Sequence, residues 1–494
     1  MADRQFALIN HAHYPISNAE RDQGLTPVDL SYDYGHILRW GKNTTPGTTD
    51  MSTALQNAVL SLDKTYGGVV TVPAGRYLAG DILVDKDVFT NGGVWFELDP
   101  RAVIDIKPAA TYGIKFQGTS TSSLLQLIGV RGGRLVGTED GANYGIWLEN
   151  CGNWWVENTS LQQFFSSPRA TSAGLYTQYA IYGTVVNPNI QTCDFGMNFE
   201  NDSGNTKRQT AVNIFGGNVQ TCLRALRVDD CIDVNAYGTS FENSSIGVLY
   251  DYTRTTGTNN ASCNLSGCYF ERNGRHVQIT EHGTGISRGI NIGDGNFFEN
   301  VAATYASTDA FEDANSGEYK LDIDGSYHNI SWNYWSTAAN TADILIQSGA
   351  TGNYIGPQGR ATGDVSVTDN GTGTYNDKVP ITGENDITIN GKFRHADELR
   401  LSNNIKMRGM NNAGTNWRDL MHITTSDRVT VGNTVTDSQI YSSAQPRWYD
   451  GSNTEWMTSS DGDTGGSASA GAGNQYVEVN INGTVYKVLH DGTV

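Results

Sequence analysis

Basic residues and long apolar runs are both scarce in this sequence of 494 residues. It has 33 Lys and Arg against 52 Asp and Glu, a formal net charge of −19, and no basic cluster longer than Lys207-Arg208. Such a charge repels phosphate backbones, which argues against nucleic acid as a partner. No apolar run is long enough to span a bilayer, so membrane insertion is not expected. The N-terminus also lacks the regions of a signal peptide, which predicts synthesis in the cytosol without export by that route.

Several familiar chemical motifs are missing as well. The sequence has no Ser-His-Asp elbow, no P-loop and no GxGxxG in a βαβ setting. Its six cysteines alternate with apolar residues and lack paired metal-ligand spacing, which indicates reduced core residues rather than ligands. They are Cys151, Cys193, Cys222, Cys231, Cys263 and Cys268. No cofactor and no metal are therefore expected.

Glycine and tyrosine, in contrast, are plentiful, and one short phrase recurs. With 57 Gly, 24 Tyr and only 17% charged residues, the composition favours a turn-rich, all-β protein. The phrase reads GMNFE from Gly196, GTSFE from Gly238, GCYFE from Gly267 and GNFFE from Gly295, with a weaker copy, GGNVQ, from Gly216. Self-similarity at this period is typical of a solenoid, in which each repeat is one structural unit.

If each phrase is a strand, its last two side chains point to opposite faces. The inward row is predicted to be Phe199, Val219, Phe241, Phe270 and Phe298. The outward row is predicted to be Glu200, Gln220, Glu242, Glu271 and Glu299. We expect the function to lie along the outward row.

A helix is predicted at residues 48–62, directly before the first strands. Thr48, Thr49 and Asp50 offer N-caps, and apolar residues follow at helical spacing. A helix there would cover the open core of the terminal coil. Residues 34–80, with TDMSTALQNAV and GGVVTVPAGRYLAG, resemble the opening of the pectate-lyase-like right-handed parallel β-helices of bacteriophage tailspikes and capsule depolymerases. The acidic turn that is typical of this family is degraded here, at residues 41–50.

The resemblance implies an all-β fold: a right-handed parallel β-helix with an N-terminal capping helix and a smaller C-terminal β domain. We predict an N-terminal arm for virion attachment at 1–30, the β-helix at 31–365, a linker at 366–385 and a C-terminal domain at 386–494. Around Asn482-Gly483, residues 476–489 predict a β-hairpin with an apolar side that needs a partner surface. The family's C-terminal modules imply trimerisation or receptor contact, hence a homotrimer.

The outward row also suggests catalysis. Equivalent residues on neighbouring coils lie about 4.8 Å apart, and those two coils apart about 9.6 Å. Glycosidases need two carboxyls roughly 5 to 5.5 Å apart for retention or 6.5 to 9.5 Å for inversion. Glu242, Glu271 and Glu299 are thus candidate catalytic residues, and Asp294 is a further one, although Asp294-Gly also reads as a turn. A solvated row with no catalytic role is the alternative.

Candidate binding residues surround that row. The two longest insertions, at 251–260 and 281–289, are predicted to stack at one corner and to wall a groove beside the glutamates. The cations Arg254, Arg272, Arg275, His276 and Arg288 are candidates for recognising carboxylate-bearing sugars. Of the adjacent Trp154 and Trp155, one is expected at the surface, where a flat ring stacks on sugars. Core packing is expected for the other tryptophans of the β-helix, Trp147, Trp332 and Trp335.

Three more acids, Asp229, Asp230 and Asp233, form a tight cluster. They compete for the catalytic role, and a Ca²⁺ site is the alternative, although no defined ligand loop is present.

The function that these features suggest is a phage tailspike, located in the virion, that binds and hydrolyses a bacterial surface polysaccharide. The phage tail or an adaptor protein would hold its N-terminal arm. Three alternatives remain open: a polysaccharide lyase acting by β-elimination through Lys, Arg or Tyr, a non-enzymatic receptor-binding fibre, and a cellular pectinase-type enzyme. The missing signal peptide and the C-terminal module disfavour the last of these.

Overall fold

The computed structural model describes residues 14–138, 144–166, 171–201, 207–252, 258–260, 262–281, 286–301, 319–336, 342–360, 365–376, 406–410, 417–423, 429–431, 447–449, 455–458, 476–481 and 484–489. The chain divides into two compact units, Met1–Phe393 and Arg394–Val494. No helix in the described ranges is long and apolar enough to cross a membrane.

The N-terminal segment is folded onto the first coil. A short helix, Asn18–Asp22, begins with a capping box between Ser17 and Glu20. The Glu20 carboxylate is fully buried and accepts hydrogen bonds from Nε and Nη2 of Arg39, at 2.7 and 3.1 Å. Within the predicted N-terminal arm at 1–30, this buried ion pair joins the short helix to the residues that lead into the capping helix. Residues 1–13 lie outside the described ranges.

The predicted capping helix is present. A 3₁₀ turn, Ile37–Arg39, leads to the α-helix Ser52–Leu60, whose buried residues are Ala54, Leu55, Ala58 and Val59. Its N-cap residue, Met51, makes no side-chain capping bond, and Asp50 instead accepts a hydrogen bond from the Ser52 backbone N–H at 2.9 Å. The apolar side of this helix therefore covers the first coil of the β-helix.

Each coil of the first unit contributes one strand to each of three faces, which we call A, B and C. Along every face, a strand pairs in parallel with the strands one coil before and one coil after it. The chain runs from face B to face C, from C to A and from A back to B. The architecture is thus a parallel β-helix, which confirms the predicted fold class.

Face A comprises Ile82–Asp85, Tyr112–Gln117, the start of Tyr144–Glu157, the start of Ala173–Val186, Phe195–Glu200, Arg224–Asp229, Ile246–Tyr252, Arg275–Glu281, Tyr319–Ile323, Ala342–Ile346 and Val367–Asp369. Face B comprises Gly68–Val72, the start of Val94–Ile106, the start of Leu125–Val136, the ends of Tyr144–Glu157 and Ala173–Val186, Thr210–Phe215, Ile232–Tyr237, Asn264–Ser266, Asn291–Gly293, Asn329–Ile330, Tyr354–Ile355 and Tyr375–Asn376.

Face C comprises Gly75–Ala79, the ends of Val94–Ile106 and Leu125–Val136, Ser160–Gln162, Asn189–Gln191, Asn218–Gln220, Ser240–Glu242, Tyr269–Glu271, Phe297–Phe298, Asn333–Trp335 and Gln358–Arg360. The coils continue to Asn376. They therefore extend into the range for which the sequence predicted a linker.

The core is a set of stacked inward rows. On face C, Phe241, Phe270, Phe298 and Trp335 are fully buried, with successive ring centroids 5.3, 4.9 and 4.7 Å apart. All six cysteines are buried and free, as predicted. Burial raises the pKa of the thiols of Cys263 and Cys268 to about 12 and about 11, so they remain protonated and unreactive.

Antiparallel strands make up the described part of the second unit. Lys406–Met410, Trp417–Ile423 and Val429–Val431 form one small sheet, and Arg447–Tyr449 pairs with Glu455–Thr458. The predicted hairpin is confirmed, because Tyr476–Ile481 pairs with Thr484–Leu489 and places Glu478 opposite Lys487.

Candidate functional site

The predicted glutamate row exists on face C. Glu242 is in direct register with Glu271, and Phe270 with Phe298, which places Glu299 on the next coil. Their side chains are part-exposed at the corner where face C passes to face A. Ser240 donates to Glu242, Tyr269 to Glu271 at 3.1 Å and Ser336 to Glu299 at 3.2 Å. We call Glu242, Glu271 and Glu299 the glutamate row.

Glu200, a predicted member of the outward row, and Asp294, a separate catalytic candidate, do not belong to this row. Glu200 lies on face A, because Phe195–Glu200 pairs with Arg224–Asp229 rather than with Asn218–Gln220. The coil before Gln220 contributes Gln191 instead. Asp294 lies in the turn at the start of the next face-C strand, with a φ of 56°, whereas Glu299 follows that strand. The structure therefore does not bring Asp294 together with Glu299.

Most of the predicted cationic and aromatic contacts are corrected by burial. Arg275 is buried and pairs with the buried Asp322. His276 is fully buried between the Asn273 side chain and the Glu299 carbonyl oxygen. Trp154 is fully buried as well, so none of these three side chains can reach a polysaccharide.

The remaining predicted contacts have mixed outcomes. Arg272 is exposed and lies 3.4 Å from the Glu271 carboxylate, so it does join the glutamate row. Trp155 is part-exposed but stacks on Trp95 on face B, away from that row. Arg254 lies outside the described residues, and only the backbone of Arg288 is described. The expectation of core packing holds for Trp335 and is wrong for Trp332, which is 59% exposed.

The two long insertions stack at one corner, as predicted, but at a different corner from the one predicted. Strand Thr258–Asn260 pairs in parallel with Ile286–Arg288. Both insertions connect a face-A strand to a face-B strand, whereas the glutamates lie where face C passes to face A. The wall that they form thus stands beside the ends of the face-A strands.

At those strand ends lies a group of charged residues that we call the Arg227 cluster: Glu200, Arg227, Asp229 and Asp251. Arg227 Nη1 donates to Glu200 Oε1 at 2.8 Å, and its Nη2 donates to Asp229 Oδ2 at 2.7 Å and to Asp251 Oδ2 at 2.9 Å. Asp229 and Asp251 are in direct register on neighbouring coils. The four side chains retain between 14% and 26% of their exposure.

Three carboxylates around one guanidinium leave an excess of negative charge at a site that is mostly shielded from water. Burial raises the pKa of Asp229 to about 7, and the neighbouring Asp251, Asp230 and Glu200 raise it further against the opposing effect of Arg227. The same carboxylates raise the pKa of Arg227 above its usual value. Asp229 therefore carries a proton in a large part of the molecules near pH 7 and loses it at higher pH, whereas Arg227 remains a cation.

Aromatic rings adjoin this cluster on face A. Tyr176 donates its hydroxyl to Glu200 Oε2 at 2.8 Å and stacks on Tyr144, with ring centroids 4.5 Å apart. On the preceding coils, the Lys115 ammonium lies 3.7 Å above the Trp147 ring. Stacked rings, hydrogen-bond donors and carboxylates thus occur together along one face.

The Ca²⁺ alternative is not supported by the contacts of the three aspartates. Asp229 is paired with Arg227, and Asp233 accepts a hydrogen bond from the Asn235 amide at 2.7 Å. Among the residues that the structure describes, no group of three or more His, Cys, Asp or Glu side chains is arranged to hold a metal ion.

Sequence reasoning identified Asp229 only as part of an acidic cluster and missed its partners. Arg227, Glu200 and Asp251 come from three coils, and their spacing depends on coil lengths that the sequence does not state. One signal was available in the sequence: Asp251 and Glu281 begin the two long insertions. This indicates that the long loops follow the ends of the face-A strands.

No protein-family model matches this chain, and no curated protein does. Similar solved structures include Geobacillus virus E2 ORF18, with 13% identity over 92% of this chain and 86% of that one, and a TM-score of 0.49. DFA-IIIase from Arthrobacter chlorophenolicus A6 has 11% identity over 69% and 92%, with a TM-score of 0.47. A Yersinia enterocolitica family 28 exopolygalacturonase has 11% identity over 70% and 79%, with a TM-score of 0.41. Scores in this range do not assign a function to the chain.

Proposed function

We propose that this protein is a tailspike-like depolymerase that hydrolyses glycosidic bonds of a bacterial surface polysaccharide at the Arg227 cluster. The observation that carries the proposal is the pair Asp229 and Asp251, two aspartates in register whose environments give them different chemistry. The resemblance of the first coil to tailspikes and capsule depolymerases supports the polysaccharide as substrate.

The two carboxyls have complementary roles in this mechanism. Asp229, with its raised pKa, donates its proton to the glycosidic oxygen as the bond from that oxygen to the anomeric carbon breaks. Asp251, which accepts hydrogen bonds from Arg227 and from Thr280 at 3.2 Å, bonds to the anomeric carbon. Water then attacks this carbon, returns its proton to Asp229 and releases Asp251.

The geometry favours retention of configuration. Asp229 Oδ2 and Asp251 Oδ2 lie 2.7 and 2.9 Å from the same Arg227 nitrogen, so they cannot be farther apart than those two distances combined. That upper bound is close to the roughly 5 to 5.5 Å of retaining glycosidases and below the roughly 6.5 Å at which inverting pairs begin. A retained anomeric configuration in the first product, observed by NMR, is the expected result.

The test compares the two carboxylate sets on capsules and lipopolysaccharides of candidate hosts. We expect Asp229→Asn and Asp251→Asn each to reduce oligosaccharide release by about 10²-fold or more, as loss of an acid or a nucleophile does. Glu242→Gln, Glu271→Gln and Glu299→Gln are the matched controls on face C. If a glutamate variant loses activity while Asp229→Asn retains it, the catalytic site is the glutamate row.

A lyase is the second candidate because of Arg224, on the same strand as Arg227. Burial and the nearby Arg227 charge lower the pKa of Arg224, which is the direction that a basic arginine needs for β-elimination. An unsaturated, ultraviolet-absorbing sugar among the products would identify elimination, and its absence together with new reducing ends would identify hydrolysis.

A further inference from the structure

A row of part-exposed aromatic rings runs along face C, next to the glutamate row. Tyr269, Phe297 and Tyr334 are in register on three consecutive coils. Their ring centroids are 5.7 and 5.1 Å apart, and the planes are within 19° of parallel. Tyr334 is 41% exposed. Because the rings stack on one another, their faces cover each other and the row presents ring edges to solvent at the spacing of the coils.

Trp332 completes this row at the corner where face B passes to face C. Its indole is 59% exposed and its φ is 57°. The register of the face-C strands makes Trp332 equivalent to Gly295, Gly267 and Gly238 on the three preceding coils. All four residues have a positive φ. A bulky residue in this left-handed conformation is strained. The chain thus places a strained, exposed tryptophan where three preceding coils use glycine.

Charge limits the ligands that this surface accepts. The glutamate row lies two residues along the same strands from the rings, and Tyr269 donates directly to Glu271. Burial and the hydrogen bond to Glu271 raise the pKa of Tyr269 to about 12, and the negative charge of Glu271, Glu299 and Glu242 adds to this shift. The negative potential of three carboxylates, which the exposed cation Arg272 offsets only in part, repels polyanions and attracts hydroxyl or ammonium donors.

We propose that Tyr269, Phe297, Tyr334 and Trp332, which we call the aromatic strip, bind a neutral or amine-bearing saccharide chain along the helix axis. The exposed Trp332 indole stacks on the C–H face of one sugar, the edges of the three stacked rings contact the neighbouring sugars, and Glu271 and Glu299 accept hydrogen bonds from hydroxyl or ammonium groups. This second glycan site lies on a different face from the Arg227 cluster. The proposal depends on the proposed function only because both take a glycan as the ligand.

The test measures binding in an Asp229→Asn background, so that binding is separated from cleavage. Three probes are titrated calorimetrically: N-acetylglucosamine oligomers, glucosamine oligomers and polygalacturonate. We expect Trp332→Gly to weaken binding of the first two at least tenfold while the protein stays folded, because glycine relieves the positive φ. Tyr334→Ser, which copies Ser240 of an earlier coil, is expected to do the same.

Tyr375→Ser is the control, because Tyr375 is also exposed, at 52%, and stacked, but on face B. Unchanged binding in both strip variants, failure of the intact strip to bind either non-acidic probe, or tighter binding of polygalacturonate overturns the proposal. A change of oligomeric mass in Trp332→Gly would instead make the strip a contact between copies of the chain. Cleavage that persists in Asp229→Asn contradicts the proposed function and leaves the strip result standing.

Discussion

Among single residues, Asp229 and Asp251 show how position in the coil determines chemistry. Both are aspartates at the same register position, and both contact Arg227. Asp251 also accepts a hydrogen bond from Thr280, whereas burial and like charges dominate at Asp229 and raise its pKa to about 7. The identity of a residue could be read from the sequence, but its neighbours on adjoining coils could not.

His276 yields a prediction about stability in acid. Burial lowers its pKa to about 3 from an ordinary value of 6.5, so the unfolded chain binds a proton between these values and the folded chain does not. The contribution of His276 to the free energy of unfolding therefore falls as pH decreases from about 6.5 towards 3. We expect the melting temperature of His276→Gln, measured by calorimetry, to decrease less between pH 7 and pH 5 than that of the wild type.

The wild-type protein serves as the reference at each pH. An identical pH dependence of the melting temperature in His276→Gln and wild type would show that His276 is charged in the folded state.

Among the elements, the face-C strands show what the repeated phrase encodes. In the phrases that begin at Gly238, Gly267 and Gly295, the inward phenylalanines and outward glutamates were predicted correctly, because the alternation of side chains along a strand is a local property. The copy at Gly196 shares the glycine and the Phe-Glu ending with the other copies but lies on face A, where an apolar residue also precedes a polar one. The face on which a copy of the phrase lies depends on the lengths of the coils before it. These lengths vary with the insertions at the corners, and the phrase itself does not indicate them.

The inward row supplies a prediction at this scale. Phe270 is fully buried between Phe241 and Phe298, so Phe270→Ala removes contacts on both sides and leaves a cavity. We expect a loss of about 3–5 kcal/mol in the free energy of unfolding, as for large-to-small substitutions in other cores. Tyr66→Ala, at an 82% exposed residue, is the control and should change little. Equal melting temperatures for Phe270→Ala and wild type would contradict the stacked core.

At the scale of the whole molecule, the fold was predicted correctly from the cap and the first coil, the segments whose sequence resembles that of tailspikes. The sequence identified the capping helix, the all-β class and the hairpin Tyr476–Leu489 because each has a local signature. It did not identify the Arg227 cluster, which is assembled from residues of three coils, or the packing of residues 14–30 through Glu20 and Arg39.

Oligomeric state supplies the prediction at this scale. The hairpin pairs Val477, Val479 and Ile481 with Val488, Tyr486 and Thr484. This register agrees with the sequence-based prediction of an apolar side that needs a partner. We propose a homotrimer, and light scattering after size exclusion should then give about three times the chain mass of 53.6 kDa. A monomeric mass at micromolar concentration would contradict trimerisation, and Val479→Lys is expected to shift trimer towards monomer.

The central claim, that Asp229 is the acid of a glycoside hydrolase, is tested most directly by the pH profile of kcat/KM on a polysaccharide that the protein cleaves. We predict that the rate falls as pH rises through about 7, because Asp229 then loses the proton that it must donate. In Glu200→Gln this fall should begin at lower pH, since the neighbouring negative charge that raises the pKa of Asp229 is gone, whereas Glu242→Gln should leave it in place. A rate that stays constant from pH 6 to pH 9, or a fall that moves in Glu242→Gln and not in Glu200→Gln, would contradict the assignment.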